Sequence, residues 1–197
     1  MPLSKRAPEP GLACMWDSRS LMDSENWRVT LPDAVIKEFS ATAATLPQSP
    51  ERFNALPSGL SATESWASDI REILFSGPGL CVISGLSRTP LDRSERRRLF
   101  AYLSLALGRP LRQYGLLYPI QDRGLDHTKE AVPVSMTCAE TRFHSDSSSV
   151  DANPDVLGLL CETPSRNGGQ SQVSNALRIY HLLRQEAPEV LRILERP

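Results

Sequence analysis

Residues 143–171 read FHSDSSSVDANPDVLGLLCETPSRNGGQS, a stretch that combines side chains able to bind a metal with a glycine turn. It opens with a histidine and an aspartate two positions apart, His144 and Asp146. In an extended segment such side chains point to the same side, while Ser145 faces away. One nitrogen and one oxygen ligand are two of the three protein ligands of a 2-His-1-carboxylate iron site. We therefore predict that His144 and Asp146 point into one cavity and share a metal ion.

The same stretch ends on a glycine pair followed by a hydroxyl side chain. Gly168 and Gly169 permit a tight turn with positive φ and let the backbone pass close to a ligand. We expect Ser171 to begin a strand, with its hydroxyl facing the same cavity as His144. An ordinary β-turn without a functional role is the alternative, and this tetrapeptide alone does not separate the two.

Upstream of this stretch the patterns are mainly helical. Ser61 and Glu64 have the spacing of a capping box, and apolar residues follow at helical spacing until Gly77. Residues 80–83 are wholly apolar and predict a short buried strand. A second helix, with an apolar inner face that includes Leu99 and Tyr102, is predicted to end at Gly108. It begins with a cationic cluster, which fits either a solvated helix face or a phosphate-binding patch: Arg93, Arg96, Arg97 and Arg98.

From residue 111 onward the pattern changes to short strands, predicted at 116–120, 132–138, 156–161 and 170–174. Asn175 is the expected N-cap of a helix, and Pro188 the first residue of another that ends at Leu194. Because helices come first and strands follow, the order is not βαβ. It predicts an α+β fold in which an antiparallel core carries flanking helices.

The remaining parts of the sequence mainly exclude classes of function. Residues 1–60 are rich in Pro, Ser and Ala and predict an irregular arm, with short ordered pieces at 27–29 and 33–39. The 22 Lys and Arg against 23 Asp and Glu disfavour nucleic-acid binding. Apolar runs are too short for a membrane helix, and no apolar region follows the N-terminal charges. Four cysteines without a C-x-x-C motif predict buried single thiols in a reducing, cytoplasmic setting.

Together these features closely resemble the taurine dioxygenase-like (TauD/TfdA) family of Fe(II)- and 2-oxoglutarate-dependent oxygenases. The resemblance rests on FHSD at 143–146, the strand 156–161, Pro164, the turn GGQS at 168–171, the opening strand at 79–86 and the "LG" helix end at 107–110. It implies a double-stranded β-helix core, the clavaminate synthase-like jelly roll, with residues 61–197 forming the N-terminal part of that domain and an incomplete barrel.

The resemblance also implies roles for individual residues. His144 and Asp146 would ligate Fe(II), and Ser171 would hydrogen-bond the distal carboxylate of 2-oxoglutarate. O2 would then oxidise a small organic substrate, with succinate as the second product. The substrate stays open among sulfonates, amino acids and natural-product scaffolds. Two positions depart from the family's turn motif, because Gln170 replaces an acid and Ser171 replaces Thr.

The resemblance further implies a second metal histidine and an arginine for 2-oxoglutarate, well downstream of the H-x-D motif. The only downstream histidine is His181, on a predicted helix, where packing or surface exposure competes with a ligand role. His127 is predicted in a loop, either simply exposed or facing the substrate, and Arg142 and Glu140 have no fixed role. Three interpretations stay open: an oxygenase truncated or completed by a second chain, a non-catalytic remnant, and an interaction protein that uses unpaired sheet edges.

Overall fold

The structure is a computed structural model that describes residues 14–113, 115–146 and 153–196. Residues 1–13 of the predicted arm lie outside the described residues. Within these residues, six helices and two strands run in the order α1 (Ser18–Asp23), β1 (Arg28–Thr30), α2 (Asp33–Thr42), α3 (Ser61–Phe75), β2 (Val82–Ser84), α4 (Arg93–Leu107), α5 (Ala176–Glu186) and α6 (Pro188–Leu194). Short 3-10 helices lie at Pro50–Arg52, Leu86–Arg88 and Val134–Met136. Within these ranges no helix is both long and apolar enough to cross a membrane.

The chain forms two compact units that are interleaved along the sequence. In its described part, the first comprises residues 14–32, Ser65–Thr89 and residues 173–196. The second comprises Asp33–Glu64 and, in its described part, residues 90–172. The predicted boundary at residue 60 stays a prediction, but the expectation of an irregular arm understates its order. The described part of the predicted arm, residues 14–60, holds two helices. It also contributes to the core, because its apolar side chains are buried: Leu21, Leu31, Val35, Phe39, Leu46, Phe53 and Leu60.

The first unit contains the only sheet assigned within the described ranges, a two-stranded parallel one. β1 pairs with β2 in the register Val29 with Ile83, and the Leu31 amide donates to the Ser84 carbonyl at 2.9 Å. The expectation of an antiparallel arrangement without a βαβ order is therefore wrong for this pair, since two helices separate the strands. The strand predicted as buried is half-exposed, with Val82 51% exposed, because a two-stranded sheet covers few side chains.

The N-terminal part of this unit is held by indole and amide hydrogen bonds. The Trp16 indole donates to the Pro78 carbonyl at 2.7 Å, just beyond the end of α3. The Asn175 side chain donates to the Cys14 carbonyl at 2.8 Å and accepts from the Arg178 amide, so it caps α5 as predicted. α6 begins at Pro188 and ends at Leu194, which confirms the second predicted helix.

The second unit is organised around α4, whose inner face matches the sequence pattern. Leu99, Tyr102 and Leu103 are buried, and the Phe39 and Tyr102 rings pack edge to face with centroids 5.4 Å apart. The helix begins at a capping box formed by Asp92 and Glu95, and Gly108 follows its last residue. The predicted helix from residue 93 to 107 is therefore confirmed.

The predicted Ser61 capping box is replaced by a partner from another helix. The Glu38 carboxylate of α2 accepts from the backbone amides of Ala62 and Thr63, at 2.9 and 2.8 Å, and from the Thr63 hydroxyl at 2.8 Å. A carboxylate is a stronger acceptor than the local hydroxyl, so it caps the first turn of α3. These hydrogen bonds, that to Ala62 first, hold the pKa of Glu38 below its usual value.

The four predicted strands downstream of residue 111 are not formed as strands in the described part of the chain. Val134–Met136 is a 3-10 helix, and two backbone bonds join its neighbourhood to the segment before it, from Gln121 to Ser135 and from Arg123 to Met136. Residues 156–161 and 170–174 have no regular structure. A strand needs a hydrogen-bonded neighbour, and apolar composition alone does not provide one.

The expectation that the four cysteines are buried single thiols also needs correction. Cys138 and Cys161 are exposed, and Cys14 and Cys81 are half-buried, all of them free.

The cationic cluster at the start of α4 has an exposed and a buried part: Arg93 and Arg97 are exposed, as the solvated-face alternative expected, whereas Arg98 is buried. Arg98 is only 5% exposed and donates to three carbonyls that follow α2, those of Ala43, Leu46 and Pro47, at 2.6, 3.2 and 3.1 Å. A guanidinium suits this position because its planar fork presents several donors to carbonyl groups at the end of a helix.

We expect Arg98→Met to lower the free energy of unfolding by about 2–3 kcal/mol, because one buried and two part-buried carbonyls lose a charged donor. Arg98→Lys should recover little of this loss, since an ammonium does not reproduce the fork. Arg109→Met, at an exposed position just after the same helix, is the control and should change stability by less than about 0.5 kcal/mol. Urea denaturation followed by circular dichroism measures all three. Equal stability of the Arg98→Met and Arg109→Met variants would contradict the assignment.

Candidate functional site

His144 and Asp146 converge as their spacing predicts. His144 Nε2 lies 3.3 Å from Asp146 Oδ1, and the two side chains are 54% and 48% exposed. They are therefore half-exposed and not enclosed in a cavity as expected. Their role as metal ligands stays a prediction, but the geometry that the role requires is present.

The backbone next to the motif fixes the imidazole, which sequence reasoning missed. His144 Nδ1 lies 2.7 Å from the Arg142 carbonyl oxygen, and a carbonyl can only accept, so Nδ1 carries a proton. In the neutral ring Nε2 then presents its lone pair toward Asp146 Oδ1. Two electron-pair donors at this distance repel each other unless a proton on Nε2 or a metal ion lies between them, and the protonated ring pairs with Asp146 directly. The Arg142 carbonyl, followed by the Asp146 carboxylate, raises the pKa of His144.

The pair fits a divalent metal such as Fe(II) in chemistry and in spacing. Nitrogen and oxygen ligands each about 2.1 Å from one ion, at a right angle, lie about 3.0 Å apart. The observed 3.3 Å is close to this value. A histidine whose other nitrogen donates to a carbonyl is also the usual arrangement of a metal-bound imidazole. The two residues therefore have the donor atoms and the spacing that two ligands of a three-ligand site require.

No third ligand joins them within residues 14–113, 115–146 and 153–196. No group of three His, Cys, Asp or Glu side chains in those ranges is arranged to hold a metal ion. His181 lies half-buried on α5, and His127 is exposed in a turn where Asp126 accepts from Thr128. The predicted helix and loop placements of these histidines are confirmed, and their functional alternatives stay open.

The glycine turn is built as expected, whereas Ser171 is not placed as expected. Gly168 and Gly169 have φ of 68° and 70°, and a Cβ at Gly169 would lie 2.7 Å from Ser165 Cβ. The Ser165 hydroxyl donates to the Asn167 carbonyl at 2.6 Å, which tightens the turn. Ser171 lies outside any strand and is exposed, so the prediction of a strand residue with an inward hydroxyl is wrong for this structure. Its contact with 2-oxoglutarate stays a prediction.

A salt-bridge cluster anchors the segment between the two motifs, and sequence reasoning did not find it. Glu162 accepts from Arg93 at 2.8 Å and from Arg97 Nη2 at 2.7 Å, with a further bond from Arg97 Nε. Arg93 and Arg97 are four residues apart on α4, so both guanidinium groups lie on one helix face. That spacing was the signal for an acidic partner. The two arginines, Arg97 first, lower the pKa of Glu162 to about 2.

Comparisons with known proteins agree with this assembly of motifs. The profile of the taurine catabolism dioxygenase TauD, TfdA family matches residues 45–197. The chain belongs to the TauD/TfdA family. It therefore belongs to a family of Fe(II)- and 2-oxoglutarate-dependent oxygenases, as the resemblance implied, and that family implies a jelly-roll fold, of which the described residues show helices and one small open sheet.

One relative gives a further comparison. The chain is 26% identical over 193 residues to the FR-33289 synthase of Streptomyces rubellomurinus (strain ATCC 31215). The match covers 90% of this chain but only 52% of that enzyme, so the chain spans about half the length of the relative. No solved structure matches the chain. Membership of the TauD/TfdA family is therefore shown by sequence. The arrangement of the candidate site residues is taken from the structure of this chain.

The pKa of His144 provides one test of the geometry. We expect Asp146→Asn to lower this pKa, because the amide no longer stabilises the imidazolium. The larger part of the elevation should persist, since its first cause is the Arg142 carbonyl, which the substitution leaves in place. Glu140→Gln, an exposed acid four residues before His144, should leave the value unchanged. NMR titration of the His144 ring signal measures it, and a return to the value of a free histidine would contradict the Arg142 contact.

The acid dependence of stability tests the Glu162 cluster. Because the folded-state pKa is lowered, its stabilisation is present above the ordinary value of 4.5 and is lost as pH falls through about 2. The Glu162→Gln variant should therefore be less stable than the parent at neutral pH and approach it in acid. Glu130→Gln, at an exposed loop position, is the control. Urea denaturation at successive pH values measures the difference, and a difference that does not shrink in acid would argue against these ion pairs.

Proposed function

We propose that the chain is the part of an Fe(II)- and 2-oxoglutarate-dependent oxygenase that contributes two of its metal ligands, His144 and Asp146. The observation that carries this proposal is the convergence of His144 Nε2 and Asp146 Oδ1 at 3.3 Å, in a chain of the TauD/TfdA family. The substrate class is a small organic molecule, oxidised with O2. When bound, the iron supplies the oxidising chemistry.

The chain's own groups divide the remaining tasks. The Arg142 carbonyl holds the His144 proton on Nδ1, which keeps Nε2 available to a metal. Asp146 supplies the negative charge that offsets part of the charge of a divalent ion. Ser171, beyond the rigid turn at Gly168 and Gly169, is the proposed hydrogen-bond donor to the distal carboxylate of 2-oxoglutarate. A lone hydroxyl is a weak partner for a carboxylate, since charge-assisted bonds are about twice as strong.

A third protein ligand and a cation for 2-oxoglutarate complete the proposed site from residues other than those described. This requirement follows from the absence of a three-residue metal group in the described ranges and from the family's Fe(II) and 2-oxoglutarate chemistry. The relative has about half its length without a counterpart in this chain, so it has room for such residues. A second chain is one source of them.

A non-catalytic interaction protein is the alternative, and one observation favours it. Several large apolar side chains of the second unit are exposed outside any helix: Leu111, Tyr118, Ile120, Phe143, Val156, Leu157 and Leu159. Such residues are typical of a surface that another polypeptide covers. Metal binding separates this alternative from the oxygenase, because an interaction protein has no need of His144.

We expect the chain alone to bind Fe(II), or Mn(II) as its redox-inert substitute, weakly and without coupled succinate formation. His144→Ala should weaken this binding by about tenfold or more, because one of two ligands is lost. His127→Ala is the matched control and should leave it unchanged. If the site is an oxygenase site, 2-oxoglutarate should tighten Mn(II) binding, and Ser171→Ala should reduce that coupling.

Two measurements decide this test. Mn(II) binding is followed by electron paramagnetic resonance with and without 2-oxoglutarate, and succinate is assayed with Fe(II) and O2. Metal binding that is equally strong in the parent and His144→Ala would refute the assignment. Strong binding with succinate release from the parent alone would instead show a third ligand within the chain, and His181→Ala would be the first variant to examine.

A further inference from the structure

The Glu51 carboxylate lies in a cradle of backbone groups formed by residues 115–117. Each of its two oxygens has a separate donor, since the Leu116 amide donates to Oε2 at 2.7 Å and the Leu117 amide donates to Oε1 at 3.2 Å. Gly115 precedes them with a φ of 90°, a conformation that favours glycine. Consecutive amides in a turn of this kind form a concave site for anions. The cradle therefore recognises both oxygens of a carboxylate group.

The glycine of the cradle leaves room for that group. A Cβ at residue 115 would lie 3.2 Å from Glu51 Oε2 and 3.5 Å from both Cδ and Oε1 of the same side chain. All three atoms of the carboxylate therefore lie next to the space that a side chain at this position would take. Because glycine lets the backbone approach a bound group closely, residue 115 suits a carboxylate site in shape as well as in conformation.

A cation lies beside the cradle. Arg112 donates to the main-chain carbonyl of Glu51 at 3.0 Å and to the carbonyl of Phe53, so its guanidinium is next to the 3-10 helix that carries Glu51. None of the salt bridges formed within the described residues includes Arg112. Its positive charge is therefore available to attract an anion toward the two amides.

The cradle is open to solvent. Glu51, Arg112 and Gly115 are exposed, and Leu116 and Leu117 are half-buried. Hydrogen bonds at exposed positions open more readily than those in a core, so a dissolved carboxylate can reach the two amides whenever the side chain leaves them. The resident side chain competes with such a ligand through its high effective concentration, because it is attached to the same chain.

We propose that the amides of Leu116 and Leu117, together with Arg112, form a binding site for the carboxylate of a small organic acid, and that Glu51 is the built-in competitor for this site. The ligand class follows from the occupant, because a carboxylate already makes the contacts that the cradle offers. Binding of an acid releases Glu51 and with it one tie between the 3-10 helix and the segment that follows α4. The site uses none of the candidate metal or 2-oxoglutarate residues and is independent of the proposed function.

The test is an NMR titration of the full chain with acetate, in which chloride keeps the ionic strength constant. The amide signals of Leu116 and Leu117 should shift as acetate replaces chloride. Glu51→Ala should bind acetate at least about tenfold more tightly than the parent, because the competitor is absent. Glu130→Ala removes an exposed acid from the loop that follows α4 and is the matched control, with the acetate affinity of the parent.

Two further variants separate a built site from a surface charge effect. Glu51→Gln keeps the length of the side chain but only one oxygen, so its acetate affinity should lie between those of the parent and Glu51→Ala. Gly115→Ala, added to Glu51→Ala, should weaken acetate binding about tenfold or more, since its Cβ takes the space of the carboxylate.

Three results would overturn the proposal. The first is the absence of acetate-dependent shifts at Leu116 and Leu117 in both Glu51 variants. The second is equal acetate affinity in the parent and in Glu51→Ala, since Glu51 would then not compete for the site. The third is binding that Gly115→Ala leaves unchanged, which would show an adventitious ion only.

Discussion

The Glu38 carboxylate is the interaction on which the helical part of the second unit depends. It accepts from two backbone amides at the start of α3 and from the Thr63 hydroxyl, and Thr63 Oγ1 lies 2.8 Å from the Tyr102 hydroxyl on α4. Because the single Thr63 proton goes to the carboxylate, the Tyr102 hydroxyl donates to Thr63. One acid thereby links α2, the first turn of α3 and α4 through hydrogen bonds of which that between Thr63 and Tyr102 is buried.

α4 contacts both the helical core of this unit and the segment that follows the His144 motif. Its inner face packs Tyr102 against Phe39, and its first two turns bind Glu162 through Arg93 and Arg97. A Cβ at Gly158 would lie 3.3 Å from the Phe100 ring on the same helix. The segment that separates the His144 motif from the glycine turn therefore contacts α4 at two residues, Gly158 and Glu162. Sites supported by a helix in this way are held more precisely than sites on loops alone.

Sequence patterns predicted the local features well, because short-range physics controls them. The bounds at 93–107 and 188–194, and the end of α3 before Gly77, follow from caps, glycines and prolines within a few residues of each end. The convergence of His144 and Asp146 also depends only on neighbouring positions. What failed was non-local: the strands at 116–120, 132–138, 156–161 and 170–174, the cap that Glu38 supplies from another helix, and the burial of Arg98. Each of these depends on a partner distant in sequence, which no periodicity encodes.

The candidate site shows the same difference between contacts of neighbouring residues and contacts of residues distant in sequence. Its first half, the imidazole with its proton held on Nδ1 by Arg142 and the carboxylate beside it, is complete within five residues and forms without a barrel. A third metal ligand, which the proposed function needs, is not found beside this pair within the described residues. Ser171 is exposed and lies outside any strand, and Leu157 and Leu159 are exposed in a segment without regular structure. The local half of the candidate site therefore forms from neighbouring residues, whereas any further part of it depends on contacts between residues that are far apart in sequence.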